Sequence, residues 1–241
     1  MRDAKGTSPV QHQRLVALKR VRILAELSQA GLERLATVCR WREYNAGEQI
    51  VSYHDSSSEV FFLAAGKARV IIYSPEGKAV VFRDLKSAGL FGEIAAIDRG
   101  PRSASIEALE ACTVASLTAS QFEDLLRREP GVAVATLRHV AAEVRRLSER
   151  VFEFSTLVVQ NRIHAELLRL AADAGHKAGE ALLSPGPSLA DIADRISTHR
   201  EAVSRELSRL GSIGLLRRDG GDLRITDVAR LEKLIREAKG E

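Results

Sequence analysis

The sequence predicts an α+β chain: an N-terminal antiparallel β-barrel or jelly-roll domain, a long helix, and a C-terminal winged helix-turn-helix domain. Three observations predict it. From Arg42 to Leu117 the apolar residues fall in short β-rich runs separated by Gly and Pro turns, the pattern of a small closed sheet. Leu137, Val140, Val144, Leu147, Val151, Phe154 and Val158 follow at spacings of 3, 4, 3, 4, 3 and 4, which is one helix with an apolar seam. Residues 188–210 hold two short amphipathic stretches joined by a turn. A chain of 241 residues is long enough for two cores.

Taken in order, residues 1–14 read as a polar arm, and helical spacing follows through Leu15, Leu18, Ile23, Leu24 and Leu27. Ser28 is a candidate N-cap for a short helix ending near Val38. Strands are expected at 49–52, 60–64, 68–73, 79–82, 105–108 and 113–117, with turns at 45–47, 65–67 and 74–77. The seam helix begins past Pro130, with Arg145, Arg146, Glu149, Arg150 and Glu153 at the flanking positions. A seam of this kind implies a partner helix, most simply its twin in a parallel homodimer, the alternative being a long helix packed on its own barrel. Val158–Asn161 is the expected hinge, Ile163, Leu167, Leu168 and Leu170 mark the next helix, and Gly175–Pro187 reads as a loop. The expected divisions are 1–27, 28–129, 130–158 and 159–241.

Ser188 to Asp191 is a capping-box pattern opening a helix with Leu189, Ile192, Ala193 and Ile196 on its apolar side. A second helix follows from His199, with Val203, Leu207 and Leu210 inward. Leu215–Ile225 reads as a hairpin around Gly220-Gly221, the wing, and Asp227 caps a last helix to about Ala238.

Composition excludes several classes. Hydrophobic residues are 45% and charged residues 28%, ordinary for a soluble globular protein, and no apolar run approaches a membrane span. The first residues lack the apolar core of a signal peptide, so a cytoplasmic location is expected. The two cysteines, Cys39 and Cys112, sit among apolar neighbours and read as buried free thiols, and the six histidines show no metal-ligand spacing. No metal site and no catalytic constellation is found, so an enzyme is not expected. The net charge of +4 suits nucleic acid, but residues 1–40 hold 8 Lys+Arg against 3 Asp+Glu while residues 159–241 hold 14 against 13. The excess sits in the arm, and charge does not argue for DNA.

The chemistry concentrates in Leu90–Ser105, where Gly92-Glu93-Ile94 is followed by Arg102-Ser103 across a loop closed by Gly100-Pro101. Arg offers a planar fork of donors to phosphate oxygens, Ser a hydroxyl and an N–H, and Glu an acceptor for sugar hydroxyls. A ribose phosphate folded on itself, a cyclic nucleotide, uses all three. The pattern resembles the phosphate-binding cassette of cyclic-nucleotide-binding domains, and with the C-terminal helices the chain resembles the CRP/FNR superfamily, its cyclic AMP receptor group in particular, over residues 28–226. That resemblance implies a homodimer, with 130–158 as its dimerisation helix, that binds cyclic AMP or cyclic GMP and double-stranded DNA. RNA polymerase is a further candidate partner and no membrane is involved.

The resemblance also implies roles for individual residues. Gly92, Glu93, Ile94, Arg102 and Ser103 would form the nucleotide pocket, and Leu147 and Ser148 align with a Thr-Ser pair that recognises the base. The Thr is replaced here, so the choice between cyclic AMP and cyclic GMP is open; Arg83 is a weak further candidate at the base edge. Arg200, Glu201, Ser204 and Arg205 face away from the apolar side of the second helix. Arg200 and Arg205 would pair with guanine, and Glu201 would accept from cytosine or, as the third residue after Thr198, simply cap the helix. Ser188, Thr198 and His199 are candidates for backbone phosphate. Arg217 and Arg218 read as phosphate contacts or as a solvated face. Two other readings keep parts of this: the same architecture with a different effector or none, and a nucleotide-binding module that acts on a protein rather than on DNA.

Overall fold

The computed structural model describes residues 9–177 and 179–240. They fall into two compact units, one of residues up to 72 with 82–144, the other of 73–81 with 145 onward. Of the polar arm expected at 1–14, residues 1–8 lie outside the described residues and 9–14 belong to a helix.

In the first unit, α1 (Pro9–Arg20) and α2 (Gln29–Val38) precede the strands. Ser28 caps α2 as expected, accepting from Gly31 N–H at 3.1 Å. The strands are β1 (Arg40–Tyr44), β2 (Gln49–Val51), β3 (Val60–Ala65), β4 (Lys67–Tyr73), β5 (Ala79–Lys86), β6 (Leu90–Phe91), then α3 (Glu93–Asp98), β7 (Ser105–Ala108) and β8 (Cys112–Leu117). They form two four-stranded sheets, β1-β8-β3-β6 and β2-β7-β4-β5, antiparallel in the pairs β1/β8, β3/β8, β3/β6, β2/β7 and β4/β7.

The run Val60-Phe61-Phe62-Leu63 is apolar throughout because β3 is covered on both faces. Val60 and Phe62 pack with α1, α2 and α4 (Ala119–Arg128), while Phe61 and Leu63 point to the interior between the sheets. β8 alternates the same way, with Ala115 and Leu117 outward and Cys112 and Val114 inward. Cys39 and Cys112 are free and buried in different clusters, and burial pushes the Cys39 thiol up to about 12.

Next comes α5 (Pro130–Thr156), 27 residues and therefore about 40 Å long. The division between the two compact units runs through it, between Val144 and Arg145. The seam residues Leu137 and Val151 are 70% and 66% exposed, and Val144, Leu147, Phe154 and Val158 are exposed too. Two of the residues at the positions flanking that seam, Arg150 and Glu153, are buried.

The second unit continues with α6 (Val159–Ala174), β9 (His176–Lys177), β10 (Glu180–Leu183), α7 (Leu189–Arg195), α8 (Arg200–Ser212), β11 (Leu216–Asp219), β12 (Asp222–Ile225) and α9 (Val228–Lys239). The segment expected to be a loop, 175–187, thus contains strands: Ala181 and Leu183 of β10 are buried beside β12 in the sheet β11-β12-β10-β9. Two inward residues in a four-residue strand are too short a period to read from sequence. Asp227 caps α9 as expected, accepting from Arg230 N–H at 2.9 Å. No helix among the described residues is long and apolar enough to cross a membrane.

Candidate functional site: a buried arginine cassette and an exposed recognition helix

Strand β6 ends at Phe91, and Gly92, with a φ of 81°, turns the chain into α3. A Cβ at this position would lie 2.6 Å from Arg102 Nη1 and 2.7 Å from the Glu59 carbonyl, so only glycine fits without a shift. This close approach is what brings Arg102 under the turn: its Nη1 donates to the Gly92 carbonyl at 3.1 Å. Arg102 is 3% exposed. Its Nε donates to Ser57 Oγ at 3.0 Å, its Nη2 reaches Glu59 Oε2 at 3.5 Å, and the guanidinium lies 5.4 Å from the Phe61 ring centroid. Its backbone is fixed on both sides, donating to Asp55 O at 2.9 Å and accepting from His54 N–H at 3.0 Å.

Burial lowers the Arg102 pKa from its ordinary value, opposed by the charges of Glu59, Asp55 and Glu93, and an arginine still remains a cation. Three of its five N–H donors are used by these contacts, which leaves donors for an anion. Glu93 is also buried, with Oε1 3.5 Å from Nε2 of His139 on α5. Ser103 and Ile94 are exposed beside them.

Ser57, Glu59 and Phe61 were not among the residues singled out from sequence. They lie 41–45 positions before Arg102 and share no local pattern with it; the only available signal was the polar run Asp55–Glu59 between two strands, where Ser57 N–H closes a turn on Asp55 at 2.8 Å. Arg83 is engaged by Glu143 of α5, Nη1 to Oε1 at 2.8 Å. Leu147 and Ser148 are exposed on the part of α5 that belongs to the second unit.

In that unit α7 is capped by Ser188, which accepts from Asp191 N–H at 3.0 Å. The α8 N-cap is His199, and no side chain caps it. The proposed Thr198 to Glu201 capping box is therefore absent, because α8 starts one residue later than that pattern requires. Glu201 keeps an acidic charge in the first turn of α8. Val203, Leu207 and Leu210 are buried, while Arg200, Glu201, Ser204 and Arg205 are exposed and make no intramolecular side-chain bond among the described residues. Arg217 and Arg218 on β11 are exposed in the same way.

Two family models match this architecture in order: a cyclic nucleotide-binding domain over residues 41–129 and a Crp-like helix-turn-helix domain over 161–234. The chain thus carries a cyclic nucleotide-binding domain followed by a Crp-like helix-turn-helix domain. Curated relatives include the CRP-like cAMP-activated global transcriptional regulator of Mycobacterium tuberculosis, 23% identical over 80% of this chain and 87% of that one. The cAMP-activated global transcriptional regulator CRP of Salmonella typhimurium is 25% identical over 78% and 90%. Among solved structures, a CooA mutant from Carboxydothermus hydrogenoformans superposes with a TM-score of 0.75 at 19% identity, over 89% of this chain and 95% of the other. The c-di-GMP responsive regulator CLP of Xanthomonas campestris gives 0.70 at 17%, over 82% and 99%. At these identities the structures establish the fold alone. The chain is a DNA-binding transcriptional regulator of the CRP-like kind, carrying a cyclic-nucleotide-binding domain, and its relatives are regulators rather than enzymes.

Proposed function

We propose that the protein is a homodimeric regulator that binds cyclic AMP, cyclic GMP or both in each barrel and, in response, binds a two-fold symmetric DNA site. The observation that carries the effector class is Arg102, a cation buried under the Gly92 turn with N–H donors to spare. Arg102 and Ser103 hold the cyclic phosphate, Glu93 accepts from the ribose, and Ile94 borders the pocket. Leu147 and Ser148 sit toward the base, contributed across the dimer. The exposed α5 seam supports the dimer, since an apolar stripe of this length in water calls for a twin helix.

On DNA, Arg200 and Arg205 read guanine, Glu201 accepts from cytosine, Ser204 lies beside them, and Ser188, Thr198 and His199 meet phosphate. Nucleotide then acts by population shift, favouring the arrangement of α5 that spaces two α8 helices one DNA turn apart, about 34–36 Å. The protein would work in the cytoplasm, with RNA polymerase as its downstream partner.

Calorimetric titration with cyclic AMP and cyclic GMP in parallel tests the reading. Micromolar or tighter binding of either supports it, and the ratio reports what Leu147 does in place of a Thr. No binding of either would favour a second reading, the same architecture answering to another effector or to none; the missing Thr at Leu147 is the observation that favours it.

A further inference from the structure

Arg150 stands at a position where the heptad pattern calls for a solvated charge, yet it is 9% exposed and makes its bonds within its own chain. Its Nη1 donates to Glu166 Oε2 on α6 at 2.6 Å, and its Nη2 donates to the backbone carbonyl of Arg195, the last residue of α7. We infer that Arg150 is a positioning residue through which α5 sets the start of the recognition helix α8. The inference deepens the regulatory reading above and rests on it.

The carbonyls at a helix C-terminus have no intrahelical partner and carry the negative end of the helix dipole. Here two arginines supply the missing donors. Arg150 takes the Arg195 carbonyl, and Arg162 of α6 approaches the Ile196 carbonyl at 3.4 Å. Both guanidinium groups lie over the ring of Phe154, at 5.3 and 5.1 Å from its centroid, so one aromatic side chain of α5 seats the pair. The carbonyls belong to the turn that fixes the angle between α7 and α8: Ser197 is held at a φ of 51°, and Thr198 N–H donates to Ala193 O at 3.0 Å. A shift of α5 along or about its axis moves this fork and the carbonyl it holds. Ser148, the proposed base contact, is two residues earlier on the same helix.

The rest of the cluster ties α5 to its neighbours and keeps the inference testable. Glu153 accepts from Arg169 of α6 at 2.9 Å, and Lys239 of α9 lies 3.1 Å from Glu149 and 3.7 Å from Glu153. These bridges span the segment Val158–Asn161 that was expected to be the hinge. Glu166 also receives Arg169 at 3.0 Å and Arg195 at 3.4 Å, so it stays paired when Arg150 is replaced. A lysine at 150 retains the charge beside Glu166 but is a point donor on a flexible stem; it does not reproduce a planar fork that serves a carboxylate and a carbonyl together.

The test compares the full chain with its Arg150→Lys and Arg150→Met variants, using a palindromic DNA selected by the parent protein from a random pool. Fluorescence anisotropy gives DNA affinity with and without saturating cyclic nucleotide, and calorimetry gives nucleotide affinity. In the lysine variant nucleotide affinity and melting temperature stay near the parent's, while the gain in DNA affinity on adding nucleotide falls about tenfold. An unchanged gain in that variant overturns the inference, and an unfolded methionine variant leaves this comparison intact. Amide hydrogen exchange over residues 196–202 provides a reading that does not depend on nucleotide: faster exchange in the lysine variant supports the clamp, and unchanged exchange overturns it. A parent protein with no nucleotide response sinks the regulatory reading, whereas a responsive parent with an equally responsive lysine variant sinks only the clamp.

Discussion

Arg102 is 3% exposed and held by Ser57, the Gly92 carbonyl and Glu59, whereas Arg200 and Arg205 stand in solvent with no intramolecular partner among the described residues. The same side chain is used in opposite ways. At the cassette the guanidinium is desolvated and oriented during folding, so an anion meets a fork already in place. On α8 the arginines keep their water and their rotamer freedom until a groove orders them. Loss of the first should therefore damage both fold and binding, and loss of the second only binding.

The sharpest way to break that contrast is at Arg102. Arg102→Ala removes the guanidinium donors to the Gly92 carbonyl and Ser57 Oγ from a buried site, and we expect a destabilisation of about 1–3 kcal/mol by urea unfolding. Nucleotide affinity should fall at least about 100-fold in the same variant. Undiminished affinity would remove Arg102 from the pocket. Gly92→Ala comes next: with φ at 81° and its Cβ 2.6 Å from the guanidinium, it should cost about 1–3 kcal/mol and weaken nucleotide binding by displacing Arg102. If the variant melts with the parent, the turn is softer than its geometry implies.

On the other side of the contrast, Arg200→Ala or Arg205→Ala should each relax discrimination at one base pair by about 1–3 kcal/mol. Their stability should change by less than about 0.5 kcal/mol. A uniform loss across all sequences, measured by competition with mismatched sites, would reassign them to phosphate.

The smallest expected effect is a pH dependence on the buried side of α8. His164 lies 2.5 Å from Glu206, and Arg209 also holds that carboxylate. Burial lowers the His164 pKa, opposed by Glu206. A histidine depressed in the folded state is protonated more readily when unfolded, so its stabilisation is complete above the ordinary value of 6.5 and is lost as pH falls from there toward the folded value. His164→Gln should flatten this slope in unfolding measured between about pH 7 and 5. A slope that survives the substitution would place the titrating group elsewhere.

Gly92-Glu93 and Arg102-Ser103 were legible because the cassette is local: a turn, a short helix and a loop within sixteen residues. The cap at Ser28, the seam of α5 and the inward face of α8 were legible for a related reason, since each is written in a period of 3 to 4 residues. The partners of Arg102 were not. Ser57 and Glu59 reach it only because β2 and β3 close the sheets, and no period links positions more than forty apart.

Arg150 marks the same limit from the other side. By itself the sequence determined that α5 carries an apolar seam with charges beside it, because side-chain direction along a helix follows from spacing. Whether a flanking charge faces water or the chain's own next helices depends on where α6 and α7 fold back, and only the tertiary structure decided that Arg150 is buried against Glu166 and the Arg195 carbonyl. The physical reason is that helical periodicity fixes the angle of a residue around its axis, while burial is set by what packs against that angle.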